Sequence, residues 1–137
     1  MANRALTSAA AGTVYFTIAF AAGFALGTLR VTLIAPRWGE TVAVLAELPL
    51  MLLVSWFACR AIITRLAVPP HLAARIAMGA VALALLLTAE AALGILVFGR
   101  SPAEHLALYA DTPELLGLAG QLLFAMFPAL MLRRGAD

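Results

Sequence analysis

A chain of 137 residues that is 64% hydrophobic and 12% charged, with a mean hydropathy of +1.02, carries too little polar surface to coat a water-soluble globule of its size. A single cysteine excludes a disulfide-stapled secreted scaffold, the high apolar content excludes disorder, and a net charge of +2 from nine dispersed arginines lacks the basic patch of a nucleic-acid binder, so no nucleic acid is expected as partner. The composition that remains is that of an integral membrane protein, with the lipid bilayer as its first partner.

A window of about 19 residues divides the chain into apolar stretches, each near the roughly 20 residues that a helix needs to cross about 30 Å of hydrocarbon. They run over 11–35, 41–63, 75–98 and 113–132, within a single domain covering 1–137. The expected fold is therefore all-α: a polytopic membrane protein with four transmembrane helices in an up-down bundle.

The first span follows Arg4, and its uncharged run from Ala11 to Leu29 is longer than the apolar core of a cleaved signal peptide, so it reads as a retained span. Ala19, Gly23 and Gly27 form a small-x-x-x-small run suited to helix packing or to a subunit interface. The stretch GFALGTLR, Gly23 to Arg30, resembles the glycine-rich opening of bacterial fluoride channels; that family's later polar motifs are missing, and no family is assigned. Pro36 to Gly39 punctuate the first connection, and Pro69 with Pro70 the second.

In the third connection Ser101, Pro102 and Glu104 make an S-x-x-E capping box with proline at the first helical position. This predicts a short external, interfacial helix from Pro102 to about Ala110, either a plain connector or a lid over the bundle mouth. Thr112 and Pro113 then restart the chain into the fourth span, which ends at Arg133, Arg134 and Gly135.

Arg4, Arg60, Arg65, Arg75, Arg133 and Arg134 fall at the termini and second connection, against Arg30, Arg37 and Arg100 on the other side. By the positive-inside rule this bias puts both termini in the cytoplasm of a bacterial inner membrane. Tyr15, Trp38, Trp56 and Tyr109 are expected near span ends, at headgroup level.

The informative positions are polar residues inside apolar spans: Arg30, Glu47, Glu90 and Gln121, one on each helix. At about 1.5 Å of rise per residue, they lie roughly 9, 10, 12 and 10 Å from the outer ends of their spans, on one level of the bundle. A charged side chain near a helix centre costs about 2.5 to 3.5 kcal/mol if it faces lipid, so these groups are expected to face inward and pair. Shared helix faces agree: Arg30 with Gly23 and Gly27, Glu90 with Gly79, Leu83 and Gly94, Gln121 with Gly117, Ala125 and Pro128.

Pro49 and Pro128 have no N–H to give the carbonyls of Leu45 and Phe124, which reads as two free acceptors near the cluster or as kinks satisfied locally. The sharpest expectation is that Glu47 and Glu90 share a titratable proton near Arg30; the alternative is a structural ion network that specifies helix neighbours.

No catalytic signature is present, and no cofactor or metal is expected. His71 and His105 fall in connections on opposite sides, unsuited to haem; Ser55 and Ser101 have no histidine at a suggestive spacing, and Cys59, beside Arg60, reads as an inert small hydrophobe with a reactive thiol as the alternative. The functional expectation is a small transporter or permeation protein for a proton or small polar solute, acting as a homo-oligomer or within a larger membrane complex. The alternatives are a non-catalytic accessory or assembly subunit, and a membrane enzyme acting on a lipid or isoprenoid headgroup.

Overall fold

The computed structural model describes residues 2–132, so Arg133, Arg134 and Gly135 lie outside the described residues. Helix α1 (Ala2–Leu29) passes through a π-helical turn (Arg30–Ile34) into the short α2 (Ala35–Trp38). Then come α3 (Glu40–Arg65) and α4 (Leu72–Ala92), the latter ending in a second π-helical turn (Leu93–Val97). Helix α5 (Pro102–Ala107) with a 3-10 turn (Leu108–Ala110) leads into α6 (Thr112–Leu130), and no strand occurs among the described residues.

Four segments, Asn3–Trp38, Glu40–Arg65, Leu72–Val97 and Thr112–Leu130, are long and apolar enough to cross a membrane. Large apolar side chains cover their outer faces; Leu96 is 81% exposed, and Phe57, Leu53 and Leu130 also point outward. Hydroxyls on these faces are silenced by the backbone, since Thr13, Thr17, Thr28, Thr32, Thr64 and Thr88 each donate to the carbonyl four residues earlier.

Helix α1 packs against α3 and α4, and α6 packs against the same two. The closest approaches are made by glycines. A Cβ on Gly79 of α4 would overlap the Ala125 carbonyl of α6, one on Gly12 would lie 2.6 Å from the Met78 carbonyl, and one on Gly120 would lie 2.5 Å from Leu48. The run Ala19, Gly23 and Gly27 does not make these contacts: a Cβ on Gly23 would meet only Met51 at 3.6 Å, and one on Gly27 only the Arg30 guanidinium. Of the three, only Ala19 is buried in the core.

The core is solid toward the end that carries the N-terminus, where Ser8, Tyr15, Cys59, Met78 and Pro128 are fully buried. Two sequence expectations are corrected here. Because α1 starts at Ala2, Tyr15 lies deep in the bundle, fully buried and stacked on Phe124 with ring centroids 4.1 Å apart. Trp56 likewise falls mid-helix in α3, edge-on to Phe127 at 5.2 Å, instead of at a span end.

The acceptor left by Pro128 is not free either: the Tyr15 hydroxyl donates to the Phe124 carbonyl at 2.7 Å. Arg75, assigned from sequence to a connection, is 6% exposed and clamps two more carbonyls at this end, donating from Nε to Pro69 and from Nη1 to Pro128, each at 3.2 Å.

Candidate functional site

Toward the opposite end the packed helices leave a hollow. A cavity of about 540 Å³ opens there, and Arg30, Glu47, Glu90 and Gln121 all line it. Local backbone chemistry explains how Arg30 comes to the wall. The π-helical turn begins at Arg30, with the Ala35 N–H reaching back five residues to the Arg30 carbonyl, and Pro36 follows with no N–H to offer. Gly39, at φ +88° and ψ 162°, then makes the reversal into α3, a backbone conformation essentially confined to glycine.

Within the cavity the polar groups form two pairs. Arg30 Nε lies 2.7 Å from Glu47 Oε2, with the two side chains 25% and 16% exposed. This contact is ionic and not a directed hydrogen bond, because the Nε–H has no aligned acceptor. Across the cavity Gln121 Nε2 donates to Glu90 Oε1 at 2.6 Å, while Gln121 Oε1 is enclosed with no donor of its own. In this arrangement the direct partner of Glu47 is Arg30 and that of Glu90 is Gln121.

Sequence reasoning missed a second group of polar residues at the same cavity: Arg100, His105, Tyr109 and Glu114. The capping box that organises them is formed, with Ser101 accepting from the Glu104 N–H at 3.1 Å, and α5 is thereby set over the end of α4. His105 fits there because Gly94 has no side chain; a Cβ would lie 2.7 Å from its Nδ1 and 3.1 Å from Arg100 Nη1. His105 Nδ1 is enclosed without a hydrogen-bond partner, and the ring meets Tyr109 edge-on at 5.9 Å. Burial, and then the nearby Glu90 and Glu114, hold the Tyr109 phenol above its ordinary range. The readable signal for this group was the spacing from Gly94 to His105 through the capping box, which folds the connection back on its own helix.

The cavity walls are apolar and aromatic. Phe20 and Phe24 of α1 stand together at 6.5 Å between ring centroids, with Leu48 and Met51 of α3, Leu86 of α4 and Phe124 of α6 completing the floor. Gly23, Gly27 and Gly117 also face it, and their lack of side chains contributes to its volume. Among the described residues no group of His, Cys, Asp and Glu could hold a metal ion. No protein-family model, curated protein or solved structure matches this chain.

Proposed function

We propose that the chain is a small transport or permeation protein of the bacterial inner membrane that binds a proton or a small polar solute in the cavity formed by its four long helices. The observation that carries this reading is the convergence of Arg30, Glu47, Glu90 and Gln121, from four different segments of the chain, on one cavity of about 540 Å³. That volume is in the range of sites for small organic ligands, which run from about 300 to 1,000 Å³. Ionisable groups facing a cavity inside an apolar bundle are the elements from which proton and solute pathways are built.

In this reading the four helices cross the bilayer in up-down order and both termini are cytoplasmic, as the arginine distribution favours. Helix α5 then lies at the external surface, over the cavity. The bundle is small, so the pathway is completed in a homo-oligomer or a larger membrane complex. The alternative of an accessory subunit that docks through Gly23 and Gly27 loses support, because both glycines face the cavity.

The test uses purified protein in liposomes with a trapped pH-sensitive dye and an imposed pH gradient. Wild-type protein is expected to dissipate the gradient, and Glu90→Gln, which keeps a hydrogen-bonding partner for Gln121, is expected to remain folded and to stop the flux. Identical flux in wild-type, variant and empty liposomes refutes the proton reading.

A further inference from the structure

The charges around the cavity are not balanced. Arg30 and Glu47 neutralise one another at 2.7 Å, and this is the one ion pair among the described residues. Two further carboxylates, Glu90 and Glu114, line the cavity without a cationic side chain within ion-pair distance. Glu90 takes one hydrogen bond, from the amide of Gln121, whose own oxygen accepts nothing; Arg30 and His105 lie close enough to act on its charge without pairing with it, and Glu114 opposes them. Arg100 is engaged differently, with its guanidinium 5.4 Å from the Phe98 ring centroid and one nitrogen over Gly94. His105 and Tyr109 complete the polar rim.

The walls narrow the choice of ligand. A tightly held metal ion draws on several charged or imidazole ligands, and no group of three or more His, Cys, Asp or Glu placed to hold one occurs among the described residues. Beyond the carboxylates stand Phe20, Phe24, Phe124 and Tyr109, whose ring faces attract positive charge and whose edges pack against hydrocarbon. An anion would meet two unpaired carboxylates at the same wall. A ligand with a positive head and an apolar body satisfies both parts of the site.

Resting on the solute-binding reading above, we infer that the cavity is a binding site for an organic cation, a protonated amine carrying an apolar or aromatic body. Its ammonium group sits between Glu90 and Glu114, and its body lies against Phe20, Phe24 and Phe124.

The test compares three probes of one shape and different charge, benzylammonium, benzyl alcohol and benzoate, by titration calorimetry on the purified full chain in lipid nanodiscs. Benzylammonium is expected to bind at least about tenfold more tightly than either of the others. Glu90→Gln and Glu114→Gln are each expected to weaken it by about fivefold or more while leaving the thermal unfolding temperature near that of wild type. Preferential binding of benzoate, lost in Arg30→Gln, overturns the cation assignment and leaves the solute reading standing. Unchanged benzylammonium affinity in both glutamate variants overturns it too, as does absence of binding by all three probes. The liposome flux assay reports on the transport reading separately, so the two failures are distinguishable.

Discussion

Tyr15→Phe removes one hydroxyl and leaves the stacked ring against Phe124 in place, so it isolates a single hydrogen bond. That bond, 2.7 Å to the Phe124 carbonyl, matters because Pro128 cannot supply the N–H that a helix would normally direct to this carbonyl. Hydrogen bonds between membrane helices average only about 0.6 kcal/mol, since the partners find substitutes when the bond is lost. Here the site is fully buried and the neighbouring group is the Cys59 thiol, a weak donor, which moves the cost toward the roughly 1–3 kcal/mol of an orphaned buried acceptor. A loss of about 1.5 kcal/mol is expected. In a Pro128→Ala background residue 128 regains its N–H, the carbonyl keeps a helical partner, and Tyr15→Phe should cost only about 0.5 kcal/mol. Reversible unfolding in mixed detergent and lipid micelles, followed by far-ultraviolet circular dichroism, gives the four stabilities of this cycle. Equal costs of Tyr15→Phe in the two backgrounds would show that Tyr15 does not replace the missing proline N–H.

Gly79→Ala puts a methyl group into the Ala125 backbone and should destabilise by about 1–3 kcal/mol, whereas Gly117→Ala, with nothing within 4 Å, should be neutral or slightly stabilising in the same unfolding assay. Ala67 holds φ +51° just after α3, where the Val68 N–H closes a six-residue turn on Ile63; Ala67→Gly should therefore stabilise by about 0.5–1 kcal/mol, and a measured loss would refute the strain argument. The Tyr109 phenol is raised by burial and then by Glu90 and Glu114, so its contribution to stability is fully present below the ordinary tyrosine range and is lost as pH rises through its folded value. Ultraviolet titration of tyrosinate in a Tyr15→Phe background should show Tyr109 ionising above pH 10, and Glu114→Gln should bring it down.

The long helices were legible because twenty-residue apolar runs separated by Pro, Gly and Arg have one physical solution in lipid. The intramembrane polar residues were legible for the same reason, since Arg30, Glu47, Glu90 and Gln121 violate the pattern that surrounds them. Their pairing was not. Which carboxylate meets Arg30 depends on helix rotation and on which helices are neighbours, and periodicity leaves both open; the structure joins α1 to Glu47 on α3 and leaves Glu90 of α4 to Gln121 of α6. The start of the first helix was misread because Asn3, Arg4, Thr7 and Ser8 lower local hydropathy without breaking a helix, and this shifted Tyr15 from a span end into the core. Glycine spacing was likewise ambiguous. Gly23 and Gly27 have the regular rhythm, yet the tight crossings fall at Gly12, Gly79 and Gly120, where a neighbouring helix happens to approach.

The two ends of the packed helices use polar groups differently, which favours the proposed site over a purely structural ion network. At the N-terminal end the polar groups are enclosed and most are satisfied: Tyr15 bonds the Phe124 carbonyl, Arg75 bonds those of Pro69 and Pro128, large side chains fill the space between, and among the described residues there Ser8 Oγ alone is buried without a partner. At the other end the polar groups border a hollow, although filling an unneeded cavity is the simplest way to gain stability, worth roughly 24 cal/mol per Å³. There Gln121 Oε1 and His105 Nδ1 lack partners, and Glu90 and Glu114 have no cationic side chain within ion-pair distance. A site selected for stability alone would have exchanged these groups for leucines. A hollow of this size, with carboxylates and aromatic rings on its walls, is the feature that supports the proposed ligand site.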